Sequence, residues 1–408
     1  MKHIFRRLLL VLVCLGISLG LCSCIPHRYQ ANNLTEPYKL PNSPQGNITD
    51  SGVLAAYGLA LSLLSHTSAP GENQLLSSLS VMLALGMTAN GANGETKAQM
   101  ERVLGLSVEE LNGFLLGVLQ SADQDALHLA QSIWFRDIGF SVKETFLDTN
   151  ANYFGADAFS AKFDKSTVAD VNAWVNEKTQ GMIEKLLDSI SPTDMMYLIS
   201  TLAFKADWAE KYAPTQVKQE NFLTADGALQ KVDMMSSSES FYLSNGDALG
   251  VLKYYEGERY AFAGILPPEG ISPENYLASL SAEDFSALLG DVQRGNVSAK
   301  IPAFSFSGDY ELSQALSALG MPLAFSSDAD FSGIADQNLS VSEVKHKTFI
   351  DVNPDGTRAA AVTSVGIKVT SIGPTDRICI YLNRPFVMVL LDTDTGLPLF
   401  VGIVNTVK

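Results

Sequence analysis

Apolar positions recur at helical spacing through the first part of the chain's body. The run 53–64 (VLAAYGLALSLL) is apolar around most of its circumference, so a largely buried helix is expected there, starting near Ser51 or Gly52. A second follows at 79–87 and ends near Gly91, and a third starts in GANGETKAQM, where Gly94 and Thr96 precede the periodic residues. None of these runs reaches the ~20 apolar residues of a membrane span. Further on the period changes. Residues 126–135 read as a strand, and 196–204 (MYLISTLAF) is so continuously apolar that it belongs at a sheet centre. Between them, 168–187 reads as helix, turn and helix. From Asn221 onward short strands dominate, at 221–227, 230–235, 241–245, 249–255 and 259–267. A helical pair at 273–289 and a short helix at 313–320 interrupt them. Helices first, then mixed elements, then strands: this order predicts an α+β fold with several sheets sharing one core.

One stretch fits neither period. Residues 356–383 (GTRAAAVTSVGIKVTSIGPTDRICIYLN) open with small and β-branched residues that alternate like a strand, yet carry Gly366, Gly373 and Pro374. On pattern alone two interpretations stay open. The segment is an edge strand followed by a long loop, or it is a loop in one state and a strand in another.

Composition sets the class. The chain has 408 residues, 46% apolar and 18% charged, which describes a globular protein whose core needs no covalent staples. Its start is different. Lys2, Arg6 and Arg7 precede an apolar run of secretory-signal length, and Leu21-Cys22-Ser23-Cys24 resembles the bacterial lipobox. That resemblance implies removal of residues 1–23, a lipidated Cys24 as the new N-terminus, and an exported bacterial lipoprotein anchored in a membrane. The anchored domain is expected at the outer membrane, facing the periplasm or the cell surface. Residues 25–50, rich in Pro, Asn, Gln and Gly, read as a flexible tether to a domain spanning 51–408. Removing the leader takes the formal net charge from −16 to −19, since it carries three positive charges and no negative one. A chain this acidic is unsuited to nucleic acid or heparin. Cys379 is then the only other cysteine. Its neighbours Ile378, Ile380 and Leu382 suggest a buried, inert thiol.

Chemistry-bearing motifs are missing. There is no GxSxG, GxGxxG after a strand, GxxxxGK[ST], HExxH or CxxC. Of five histidines, His3 falls in the leader and His27 in the tether. His128 or His346 could be combined with a distant serine into a hydrolase triad only by assumption. Asp328, Asp330, Ser332 and Gly333 match the opening of an EF-hand loop, but its twelfth position is Leu339 where a bidentate Glu is needed. No enzyme activity, cofactor or metal is expected.

Eight motifs in chain order resemble the serpin family: LSSLSV (76–81), GANGETKAQM (91–100), NAWVNEKTQGMI (172–183), LAFKADW (202–208), IPAFSFSGDYEL (301–312), LGMPLAFSSDADFSGI (319–334), SEVKHKTFIDVNPDGTRAAAVT (342–363) and NRPFVMVLLDTDTGLPLFVGIV (383–404). The resemblance implies three β-sheets, about nine helices and an exposed reactive-centre loop. It implies a monomeric suicide-substrate inhibitor that forms a covalent complex with a serine protease, the loop inserting afterwards into the central sheet. A non-inhibitory serpin acting as a binding module is the alternative.

Residues take implied roles accordingly. The hinge would be Gly356, Thr357, Arg358, Ala359, Ala360, Ala361, Val362 and Thr363. In an inserted strand Thr357, Ala359, Ala361 and Thr363 share one face, all small and uncharged, while Arg358 falls on the other. No proline interrupts the inserting half, so every N–H can join a ladder. Ser77, Ser80, His346 and Ser200, the last at a position usually Asn, resemble the polar shutter cluster, and Trp208 should lie beneath the loop's start in the breach. Where the family often pairs a Glu with a Lys at the loop base, this chain has Pro354 and Ala303. Counting fifteen residues from Gly356 places the cleaved bond at Thr370–Ser371, with Ile367, Lys368 and Val369 as alternatives. Lys368 suits a trypsin-like protease; Ile367, Val369 and Thr370 suit an elastase-like one.

Overall fold

Local signals decide where the helices start. The Ser77 side chain accepts from the Ser80 amide and that of Ser272 from the Asn275 amide, while Ser107 with Glu110 and Ser281 with Asp284 form reciprocal capping boxes. The computed structural model describes residues 29–38, 44–67, 69, 71–139, 141–191, 194–357 and 377–407. Its helices are α1 (Asp50–Thr67), α2 (Ser78–Ala89), α3 (Gly94–Leu104), α4 (Val108–Ser121), α5 (Glu144–Phe154), α6 (Lys165–Lys178), α7 (Pro273–Ala278), α8 (Ala282–Gly290) and α9 (Ser313–Ala318). All twelve residues of α2 are buried, which suits a segment with no polar face. Cys24, Arg358, Ala359, Ala360, Ala361, Val362, Thr363, Ile367, Lys368, Val369, Thr370 and Ser371 lie outside the described residues.

Strands are numbered along the chain. The first sheet runs, in spatial order, β1 (Asn32–Asn33), β4 (Asp157–Ala161), β3 (Leu127–Arg136), β5 (Met196–Phe204), β13 (Glu343–Val352), β14 (Gly356–Thr357) and β6 (Ala206–Asp207). Beside β13 lies β12 (Phe304–Glu311). Every residue of β5 is buried, as its unbroken apolar run predicts for a central strand. The second sheet runs β15 (Ile378–Tyr381), β11 (Gln293–Pro302), β8 (Leu229–Asn245), β9 (Ala248–Tyr254), β10 (Tyr260–Leu266), β16 (Phe386–Asp392), β17 (Leu397–Val404) and β2 (Gln74–Leu76), with β7 (Val217–Leu223) also on β8. Where three sheets were expected, hydrogen bonding joins two of them. The seventeen-residue β8 pairs with β7 near its start and with β9 near its end, so one strand belongs to both halves.

Several other expectations change. The polar run SSSES between the expected strands 230–235 and 241–245 is a continuous part of β8. The second helix expected within 168–187 does not form: the chain leaves α6, passes Gln180 and Gly181 at positive φ, and is fastened by Asn172, whose Oδ1 accepts from the Leu186 and Leu187 amides at 2.8 Å. Helices α4 and α5, which the periodicity argument passed over, pack on each other. Part of the expected tether is built into the domain. Asn32 and Asn33 pair with β4, the Ala31 amide donates to Asp170 at 2.8 Å, and Thr35 is fully buried. Main-chain pairing needs no apolar side chains, which is why composition did not mark it. Cys379 is exposed and not buried, because alternation on β15 turns Ile380 inward and the thiol outward.

Candidate functional site

The site grows from the end of β13. There the chain reverses through Asn353, Pro354, Asp355 and Gly356, and β14 returns antiparallel, pairing Thr357 with Val352. Turn chemistry explains the reversal. Pro354 presets the first central φ, and the Asn353 side chain accepts from the Asp355 amide at 3.0 Å and the Gly356 amide at 3.3 Å. On its other side β14 pairs with β6, Gly356 against Asp207 and Thr357 against Ala206. A Cβ on Gly356 would sit 2.2 Å from the Ala206 carbonyl oxygen, so this strand can be this close to β6 only with glycine. Gly356 and Thr357 therefore already hold an interior position of the first sheet.

Beyond them β5 and β13 barely touch. They run parallel and pair only at Tyr197, Leu198 and Ile199 against Glu343, Val344 and Lys345, at the end of the sheet remote from β14. From there toward β14 no register pairs join them, and this stretch is in line with the strand that β14 begins. Thr357 points into the protein, 3% exposed, with its hydroxyl 2.6 Å from the Tyr255 hydroxyl. That is the face the sequence assigned to Thr357.

Aromatic rings form the floor. Trp208 stacks on Tyr255 with centroids 4.4 Å apart and meets Phe262 edge-on. Its indole N–H donates to the Asn353 carbonyl and its backbone N–H to the Asp355 carbonyl, both at 2.9 Å, so one residue ties down both ends of the turn. The Tyr212 amide donates to the Pro354 carbonyl at 3.0 Å. Burial raises the pKa of both the Tyr212 and Tyr255 hydroxyls, keeping them neutral hydrogen-bonding groups. Beneath the rings lies an ammonium. Lys253 is 2% exposed, bonds Glu239 at 2.9 Å, and sits 4.6 Å from the Tyr212 ring centroid and 5.6 Å from that of Trp208. A buried ammonium without its carboxylate would be costly, so Glu239 and Lys253 act as one unit.

The second cluster lies deeper, under the β5–β13 gap. His346 on β13 is buried, and its Nε2 accepts the Ser77 amide at 3.1 Å. Burial alone pushes its pKa down to about 4, so the ring is neutral at pH 7, as an accepting Nε2 requires. The Ser77 hydroxyl accepts from the Ser80 amide, and the Ser80 hydroxyl reaches the Ser200 hydroxyl at 3.1 Å on β5. The Tyr310 ring stacks near His346, and its hydroxyl accepts from Leu75 at 3.1 Å. Helix α2 thus bridges the two strands through neutral hydrogen bonds.

The structure brings Ser77, Ser80, Ser200 and His346 into one cluster and Gly356, Thr357 and Trp208 into another. Tyr212, Glu239, Lys253, Tyr255 and Tyr310 were not singled out from the sequence. Only Lys253 carried a usable signal, as a charge within the otherwise apolar strand LGVLKYY. Pro354 is the turn's first central residue, and the Ala303 amide donates to the Asp233 carbonyl. Asp330 accepts from Ser332 in an ordinary turn.

Comparison with known proteins gives one answer. The family model described as serpin (serine protease inhibitor) matches residues 55–407. An uncharacterised serpin-like protein of Thermococcus kodakarensis is 30% identical, over 86% of this chain and 84% of its own. The thermophilic serpin tengpin, 40% identical, superposes in its native state with a TM-score of 0.88 over 93% of this chain and 100% of that one. Its latent state gives 0.79 over 90% of this chain and 100% of that one. Thyroxine-binding globulin, in complex with thyroxine, is 25% identical with a TM-score of 0.77, covering 88% of this chain and 99% of that one.

Proposed function

The chain belongs to the serpin family, whose members generally inhibit proteases by a suicide mechanism, and from that premise we propose that it inhibits serine proteases by loop cleavage and insertion. The observation that carries this reading is β14: Gly356 and Thr357 sit between β13 and β6, in line with the unpaired stretch between β5 and β13. A protease serine attacks the carbonyl of Thr370, the amine of Ser371 leaves with a proton from the protease histidine, and an ester joins the two proteins. Once cut, the chain after Thr357 is free to extend β14. Each of Arg358, Ala359, Ala360, Ala361, Val362 and Thr363 would then place an N–H and a C=O in the ladder, together worth on the order of 10 kcal/mol. Only small, uncharged side chains would enter the buried face, while Arg358 would face away.

Ser77, Ser80, Ser200 and His346 act in this account as the hydrogen-bonded bridge that must rearrange when β5 and β13 part. Trp208, with Tyr212 and Tyr255 over Lys253, holds the hinge where other serpins use a Glu–Lys pair. Cys24 is the proposed lipid attachment, with the domain at the outer membrane on its periplasmic or outer face.

We further propose two alternative cleavage sites, at Lys368 for trypsin-like proteases and at Val369 or Thr370 for elastase-like ones. Incubation with trypsin and elastase, denaturing gels and mass spectrometry of the released C-terminal fragment test both points. A detergent-stable complex with each enzyme and two different fragments are expected. Plain proteolysis without complex would favour a non-inhibitory binding role, and one shared fragment would refute the two-site proposal.

A further inference from the structure

The chain before α1 joins the first sheet at one particular end. Asn32 and Asn33 pair with Ser160 and Phe159 on β4, those with Phe135 and Trp134 on β3, and those in turn with Met196 and Tyr197 on β5. The loop base lies farther along the same strands, with Thr357 against Ala206. From residue 197 to residue 206 the nearly continuous strand covers about 30 Å. β1 therefore sits at the end of the sheet remote from the loop base. Its direction matters too. Because β1 runs antiparallel to β4, the chain before Asn32 continues past Ser160 toward Ala161, away from the loop base. The attachment is firm: the Leu34 amide donates to the Ala158 carbonyl at 2.6 Å, the Ala158 amide to the Thr35 hydroxyl at 3.1 Å, and the Asn33 amide group to Asp157 at 3.2 Å.

An apolar side chain marks the same end. The Asp137 amide donates to the Ala161 carbonyl at 2.8 Å, so the turn after β3 lies beside the point where β1 begins. In that turn Ile138 is 62% exposed, one of four large apolar side chains so exposed among the described residues. Around it the exposed Asp137 and Asp164 are matched by the exposed Lys162 and Lys165, so this end does not share the acidity of a chain whose formal net charge is −16. An exposed isoleucine within a charge-balanced rim suits the headgroup layer of a bilayer, which a strongly acidic surface would not.

We propose that the protein stands on a phospholipid bilayer with this end down, Ile138 in the headgroup layer and the loop base facing away from the membrane. The inference rests on the lipid proposed for Cys24. Only residues 25–30 separate that lipid from the docked chain, and the path from Cys24 to Ala31 spans at most about 25 Å. A tether running free to residue 50 would reach up to about 90 Å and would impose no orientation. Docking of residues 31–35 thus turns a long tether into a short one that leaves the domain at its loop-distal end. The lipid holds the molecule and Ile138 orients it. In this pose the loop base stands about 30 Å farther from the bilayer than β1, open to a protease arriving from solution.

The test uses the full chain, expressed with its leader, recovered from the membrane fraction and reconstituted into phosphatidylcholine vesicles that carry a nitroxide-headgroup lipid as quencher. A Cys379→Ser background removes the exposed thiol, and a fluorophore is placed through Asp137→Cys or through Glu256→Cys. Glu256 reports on the loop base, where its amide donates to the Asp207 carbonyl. Quenching severalfold stronger at position 137 than at position 256 is expected. Ile138→Asp should reduce the quenching at 137. Combined with an insertion of about 30 Gly/Ser residues between Arg28 and Tyr29, whose r.m.s. span is about 30 Å, it should abolish the difference. Equal quenching at the two positions in the vesicle-bound parent, or stronger quenching at 256, would overturn the orientation while leaving the anchor in place. Recovery of the protein in the soluble fraction would overturn the Cys24 reading and the orientation with it.

Discussion

Single residues set the chemistry of this protein through burial. His346 is held neutral because its surroundings cannot stabilise a proton, with its pKa near 4 against an ordinary value of 6.5. The unfolded chain therefore binds a proton that the folded chain refuses between those values. Stability from this residue is complete above pH 6.5 and declines as the pH falls toward 4, by roughly 3 kcal/mol in all. Denaturant midpoints measured from pH 7 to pH 4 should fall accordingly, and His346→Gln should flatten most of that slope while lowering the midpoint at pH 7. An unchanged slope in the variant would remove His346 from this role. Gly356 shows the same economy at the backbone, where the missing Cβ lets β14 meet β6. Cys379 shows how one residue is misread. Apolar neighbours suggested burial, but on a strand neighbours point the other way.

At the scale of elements, the hairpin of β13 and β14 is the centre of the mechanism, and Trp208 is its clamp. Removing the indole deletes the hydrogen bond to Asn353 and the stack on Tyr255. Trp208→Ala should accelerate insertion of a synthetic loop peptide by roughly tenfold and destabilise the protein by about 3–5 kcal/mol. Equal insertion rates would mean that the hinge is restrained elsewhere. Tyr255→Phe isolates the hydroxyl bond to Thr357, worth about 1 kcal/mol, and should give a smaller acceleration in the same assay.

Much of this arrangement was legible beforehand. The central strand β5 and the alternation that sets Thr357 apart from Arg358 both follow from local rules that need no partner. The remainder depends on distant partners. Tyr212 and Tyr255 look like any core aromatics until the turn is placed above them. The Lys253–Glu239 pair joins residues on two strands whose register no local pattern states. The docking of residues 31–35 uses main-chain and asparagine bonds, to which hydrophobic periodicity is blind.

At the scale of the molecule, two sheets share a core in which β14 begins the interior position between β5 and β13, and no other described residue occupies the rest of it. Attachment to a membrane is proposed to come from Cys24 alone, because a net charge near −19 after leader removal repels anionic lipid. Cys24→Ala should shift the expressed protein from the membrane fraction to the soluble fraction, and retention on the membrane would argue for another anchor. The central claim concerns stored stability, and thermal unfolding before and after cutting the loop tests it most directly. If residues 358–363 complete the sheet once cleaved, the cleaved protein should unfold at least ~15 °C above the intact one. Equal unfolding temperatures for the two forms would contradict the account.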